Sequence, residues 1–220
     1  NNLIYFMDLK TFLSLKTNLI EIPLPGLNAH SLLAPPYRIS DLKKINYNIV
    51  NPRIAAVLIL FFPSPNGQLN LVLIERSKYP GTHSGQISFP GGKYENQDNE
   101  LWETALREAN EEIGIQKADI KYVMSLSNIF IPPSNFLVTP FLSYSISNLT
   151  FIPHKSEVSK IIELPVNDLL KIKVSQKRLK TMFKESVEVP CFNYNQNIIW
   201  GATSMILSEL KMIIQNALAK

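Results

Sequence analysis

The chain has 220 residues, of which 45% are hydrophobic and 18% charged, a composition that fits an ordinary globular protein and excludes a disordered or fibrous one. Its net charge of +4 favours anionic ligands but is too small and too dispersed to single out nucleic acid. A lone Cys191 rules out an internal disulfide framework, so a reducing cytoplasm is the expected compartment.

In chain order, NNLIYFMDLK lacks a basic region and a small-residue cleavage site and is not read as a signal peptide. Residues 8–20 place Leu9, Phe12, Leu13 and Leu19 at near-helical spacing behind Asp8, which predicts a capped packing helix. The stretch PLPGLNAHSLLAPP, 23–36, breaks that pattern and is expected to be a linker or a loop laid over the main body. Residues 1–45 therefore read as an N-terminal extension with one packing helix, and 46–220, from Asn46, as the main domain. The longest apolar run, 54–62, is about half of what a membrane helix needs and predicts a buried strand. With 69–75 it forms an expected hairpin across Asn66-Gly67. A helix is predicted over 101–113, closed by Gly114. Strands follow at 121–127, 137–145 and 158–164, then a short helix at 166–172, a hairpin over 188–193 and 197–200, and a helix over 204–217. This mixture predicts an α/β fold with a mixed sheet covered by helices on both faces.

Within 101–113, Leu101, Ala105, Leu106, Ala109 and Ile113 form an apolar stripe, while Thr104, Arg107, Glu108, Glu111 and Glu112 fall on the other side. Glu108 and Glu112 are one turn apart with Glu111 between them, so the three carboxylates can converge on one point. Two unit charges about 4 Å apart at an effective dielectric near 20 repel by about 4 kcal/mol. A divalent cation reverses that sign. Taken alone, such a cluster reads as a solvated acidic face. Just upstream, however, lies Phe89-Pro90-Gly91-Gly92, whose glycines let backbone amides approach a phosphate. Carboxylates beside such a turn predict a pyrophosphate site, and magnesium suits it because it accepts a few carboxylates and completes its shell with water and phosphate oxygens.

The segment GGKYENQDNELWETALREANEEIGI resembles the Nudix box, matching at Arg107, Glu108, Ala109, Glu111, Glu112, Gly114 and Ile115. Gly92 stands one residue further out than the usual spacing, and the box glutamate position holds Asn99 between Asp98 and Glu100, which leaves the acidic partner of Arg107 open. LIERSKYPGTHSGQISFPGG is similar to a second signature, that of the coenzyme A diphosphatase branch, at Arg76, Ser77, Gly85, Phe89, Pro90, Gly91 and Gly92. Gly81 occupies the place of that motif's arginine. With NIFIPPSNFLVTPF, SEVSKIIELPVNDLL and IIWGATSMILSELK, the resemblance covers about residues 50 to 212.

The resemblance implies a Nudix α/β/α sandwich acting as a metal-dependent diphosphatase. Glu108, Glu111 and Glu112 would hold Mg2+ or Mn2+, Glu111 would be the first candidate for general base and Glu157 the second, and Arg107 would orient the acidic cluster. Arg76, His83, Gly85, Gly91, Gly92 and Lys93 would contact the substrate. Coenzyme A or an acyl derivative is the leading substrate, split into a phosphopantetheine product and adenosine 3′,5′-bisphosphate. Dinucleotides and ADP-sugars such as NADH and ADP-ribose are the alternative, and a nucleotide sensor without hydrolysis is the third reading. The expected partner is a small molecule, with no nucleic acid and no membrane; a homodimer is left open. Phe89, Trp200 and Cys191 read as structural, 132–136 as a pocket rim or a rigid turn, and the basic stretch 171–184 as a solvated face.

Overall fold

The computed structural model describes residues 6–39, 50–78, 80–81, 83–180 and 186–220. The expected domain start at Asn46 and the end of the basic stretch, 181–184, lie outside these residues.

Strand β1 (Arg53–Pro63) is the centre of the architecture. Successive side chains of a strand point to opposite faces, and both faces of β1 are covered. Ala55, Ile59 and Phe61 join one apolar cluster, while Ala56, Leu58, Leu60 and Phe62 join another. The unbroken apolar run follows from this double burial. Strand β2 (Leu69–Arg76) returns antiparallel to β1, Phe61 opposite Leu71, around a turn in which Ser64 N donates to Gln68 O at 2.8 Å and Gly67 takes φ 80°. On the other side β7 (Phe136–Tyr144) runs parallel to β1. The sheet order is β3 (Ile87–Ser88), β2, β1, β7, β5 (Lys121–Ser125); in addition β4 (Gly91–Lys93) pairs with β1, β6 (Ile129–Ile131) with β7 and β8 (Val158–Pro165) with β2.

Helix α1 (Leu9–Glu21) begins where the Asp8 carboxylate accepts from Thr11 N at 2.7 Å, the predicted cap. Its Phe12 meets Phe61 edge-on with ring centroids 5.1 Å apart. Helix α2 (Leu27–His30) and a 3-10 turn, Pro36–Arg38, give the predicted loop more structure than its prolines suggest. Helix α3 (Leu101–Ile113) buries Ala105, Leu106, Ala109 and Ile113 in the cluster that holds Leu58 and Leu60. Helix α4 (Val166–Lys171) and α5 (Gly201–Ala219) contribute to the opposite cluster along with α1. The result is a mixed sheet between helical layers. A separate antiparallel sheet, β9 (Val174–Lys180), β10 (Ser186–Tyr194) and β11 (Asn197–Trp200), follows. Over its described part the basic stretch is solvated as read, but it forms an edge strand, β9, which the sequence did not show because with almost every residue exposed it has no apolar alternation.

The arm over 23–38 is held by a buried knot. Glu209 of α5 is fully buried and accepts from Gly26 N at 3.0 Å and Ser127 Oγ at 2.6 Å, with His30 Nε2 at 3.1 Å. Burial alone would raise its carboxyl pKa, yet the bonds from His30 and Ser127 hold it below the ordinary value. No helix among the described residues is long and apolar enough to cross a membrane.

Candidate active site

Helix α3 ends where Gly114 adopts φ 73° and donates to Asn110 O at 2.9 Å, a left-handed cap. Its polar side faces β4, and Arg107 organises it. The guanidinium grips Asp98 with Nε to Oδ1 at 2.9 Å and Nη2 to Oδ2 at 3.0 Å, donates to Lys93 O at 3.0 Å and to Glu108 Oε1 at 3.0 Å. Asp98 is thus the partner that the sequence left open. Thr104 Oγ1 also donates to it at 2.9 Å, and Glu95 N at 3.1 Å. The Arg107 fork holds the Asp98 carboxyl far below the usual carboxylate range, and Asp98 in turn raises the guanidinium pKa.

Strand β4 lies so close to β1 that Gly91 is obligatory, while the bare Gly92 leaves the space that the Glu108 carboxylate takes. A Cβ on Gly91 would overlap the Ala56 carbonyl and Val57 Cα, and one on Gly92 would land on the Glu108 carboxylate. The expectation of a glycine turn with amides free for phosphate is corrected here: Gly91 is in a paired strand, and its N–H donates to Glu112 Oε2 at 2.9 Å. Glu112 is 1% exposed and reaches Arg76 Nη1 at 3.3 Å. Burial pushes its carboxyl up to about 7 against the pull of Gly91 and Arg76, and the charges of Glu108 and Glu157 push the same way. Burial raises Glu108 as well, with Glu111 and Glu157 adding to the effect.

Glu108, Glu112 and Glu157 line one cavity of about 1120 Å³, together with Arg76, His83, Gly91, Gly92 and Lys93. Glu111 is not part of that wall. Its side chain is 56% exposed and lies 3.5 Å from Arg107 Nη1. The expected convergence of three helix carboxylates is therefore corrected, for a geometric reason. At 3.6 residues per turn Glu112 falls about 40° to one side of Glu108 and Glu111 about 60° to the other. Among the described residues no three acidic, histidine or cysteine side chains are placed to ligate a metal by themselves. The donor set nevertheless suits magnesium, which needs only one or two carboxylates beside waters and phosphate oxygens, and a buried and a half-buried carboxylate with raised pKa values, Glu112 and Glu108, are stabilised by a dication.

Of the other predicted positions, Arg76 bonds Glu112, Lys93 is exposed on the cavity wall, and His83 is in the wall with its Nδ1 3.0 Å from Gln86 Oε1. Gly85, with φ 66°, shapes the loop between Ser84 and Gln86 without lining the cavity. Pro132, Pro133, Ser134 and Asn135 form part of the wall as a 3-10 turn capped at φ 54°, which unites both earlier readings. Phe89 is core, at 2% exposure, and Trp200 is half-buried in the wall. Sequence reasoning missed Pro35, Tyr37 and Arg38 of the arm, which also line the cavity, Arg38 Nη2 donating to Phe130 O at 2.6 Å. No local pattern marks them, since only tertiary docking brings them there.

The raised Glu112 gives a pH test. Because its folded pKa of about 7 exceeds the ordinary 4.5, the folded state binds a proton more tightly than the unfolded chain. This contribution, at most about 3 kcal/mol, is full below pH 4.5 and lost as pH rises through about 7. Urea unfolding of metal-free protein from pH 5 to 8 should show stability declining with pH, and Glu112→Gln should flatten that decline.

The NUDIX domain profile matches residues 52–184. The chain is 31% identical over 181 residues to an uncharacterized Nudix hydrolase, NudL, of Photorhabdus laumondii, covering 82% of this chain and 90% of that protein. It is 34% identical over 162 residues to the mitochondrial Nudix hydrolase 15 of Arabidopsis thaliana, covering 71% of this chain and 56% of that longer protein. In fold it is similar to RenU, a Nudix hydrolase from M. smegmatis, at a TM-score of 0.51 and 14% identity over 77% of this chain and 88% of that one. The chain belongs to the Nudix hydrolases, which act on pyrophosphate bonds of nucleoside diphosphate derivatives. Enzymes of this family generally use divalent ions such as Mg2+ or Mn2+.

Proposed function

We propose that this protein hydrolyses the diphosphate linkage of coenzyme A or an acyl-coenzyme A, releasing a phosphopantetheine product and adenosine 3′,5′-bisphosphate. The observation that carries the reading is one cavity in which Glu108, Glu112 and Glu157 face the Gly91-Gly92 strand and Arg76. Its volume of about 1120 Å³ suits a nucleotide carrying a long second arm. The stretch from Arg76 to Gly92, with its similarity to the coenzyme A diphosphatase signature, supplies the preference for this substrate.

Glu108 and Glu112 would hold Mg2+ or Mn2+, which when bound neutralises charge on the diphosphate oxygens and makes water acidic enough to attack. Glu157 faces the cavity and accepts the proton of the attacking water as general base. The water oxygen bonds to one phosphorus and the bridging oxygen leaves with the other phosphate. Arg76 orients Glu112 and meets the negative charge of the diphosphate. Arg107 holds Glu108 and the Asp98 loop in place and stays off the substrate.

The alternative substrates are dinucleotides and ADP-sugars, and one observation favours them. Gly81 lines the cavity where the coenzyme A motif carries an arginine, so that position supplies no cation. Initial rates with coenzyme A, NADH and ADP-ribose in Mg2+ or Mn2+ decide between the two. Coenzyme A should show the highest kcat/KM, and a tenfold preference for ADP-ribose or NADH would overturn the assignment.

A further inference from the structure

The cavity contains two buried polar atoms that no described residue satisfies, Nε2 of His83 and Oγ of Ser88. A buried polar atom left without a partner is costly, and two in one wall are accounted for by a ligand group that bonds them. The His83 ring is held in place. Its backbone takes φ 69°, its Nδ1 lies 3.0 Å from Gln86 Oε1, Gln86 N donates to His83 O at 3.2 Å, and Arg76 N donates to Gln86 O at 3.0 Å. Ser88 is fixed in β3 opposite Ile74.

With the Gln86 side-chain oxygen accepting the proton carried on Nδ1, Nε2 is left as an unpartnered acceptor in a residue of the cavity wall. Burial, with Arg76 adding to it, depresses the imidazole pKa, so the ring is neutral at pH 7. A neutral acceptor repels phosphate oxygens and takes a hydrogen bond from a donor, while the hydroxyl of Ser88 can give or take one.

We propose that His83 and Ser88 form a neutral subsite that binds a hydroxyl or amide group of the substrate beside the diphosphate, and not the phosphates themselves. The inference rests on the diphosphatase reading for where the diphosphate lies. The same donor chemistry is offered by a ribose hydroxyl of an ADP-sugar and by the amides and hydroxyl of a pantetheine arm.

The test compares wild type with His83→Asn, a residue that tolerates left-handed backbone, and with Ser88→Ala. Initial rates give KM for coenzyme A and ADP-ribose, and inorganic diphosphate is titrated as an inhibitor. In either variant KM for the compound that supplies the donor should rise about tenfold, the loss of one buried hydrogen bond, with kcat within about threefold and Ki for inorganic diphosphate within about twofold. Ribose as the source raises KM for ADP-ribose, and pantetheine raises it for coenzyme A alone. A matching loss of affinity for inorganic diphosphate puts His83 on phosphate and overturns the proposal, as does an unchanged KM for both compounds. Should wild type hydrolyse neither compound, the diphosphatase reading fails by itself. The subsite is then judged by the 15N resonance of His83 Nε2, assigned by its loss in His83→Asn: movement on adding coenzyme A or ADP-ribose sustains it, and no movement overturns it.

Discussion

Glu157→Gln should lower kcat by about 10²–10⁴-fold while leaving the protein folded, because a general base contributes on that scale and this side chain supports little else. It is 48% exposed, and its ion-pair partner, His154 at 3.4 Å, is 58% exposed. Glu111→Gln should retain at least about tenfold more turnover, since Glu111 lies outside the cavity wall against Arg107. Single-turnover rates of the two variants, read beside their circular dichroism, check the ranking. If Glu111→Gln proves the more damaging, the proton passes through the helix and the assignment of Glu157 is wrong.

Arg107→Ala should destabilise the fold by about 3–5 kcal/mol, the range for removing one partner of a buried ion pair. Asp98 is 4% exposed in its side chain and would keep Thr104 and Glu95 N but lose both arms of the guanidinium. Glu108 would lose its bond from Nη1 as well. Arg107→Lys should recover less than half of the loss, because an ammonium cannot make the two parallel bonds to Asp98 or reach Lys93 O at the same time. Denaturant midpoints at low and high salt measure both variants. A strong salt dependence would mark the pair as solvent-screened and contradict the burial seen here.

The elements legible in the sequence are those whose own residues carry the signal. Helix α3 runs over 101–113 as its apolar stripe and Gly114 predict, and β1 is announced by a run that must be covered on both sides. Strand β4 was hidden because Gly91-Gly92-Lys93 has no strand propensity; β1 imposes the extended form on it, and the glycines are there for what they leave out. Helical spacing alone puts Glu112 on one flank of Glu108 and Glu111 on the other, but which flank meets the cavity is set by how α3 docks on β4, and Glu111 ends beside Arg107. Asp98 lay one residue from the expected position, within a loop whose extra residue only the folded backbone absorbs. Glu157, just ahead of β8, was named only through the family resemblance, because its approach to the cavity is long-range and no local pattern carries it.

The knot at Glu209 bears on how this chain could be shortened. The family match begins at residue 52, and a cut there would strip away His30 and Gly26, leaving a carboxylate with two of its bonds gone inside a helix, and Phe61 without the ring of Phe12. Pro35, Tyr37 and Arg38 would go with them, so the catalytic chamber would stand open on one side. The leading segment therefore behaves less as an appendage than as masonry, and a minimal version of this enzyme has to begin before α1.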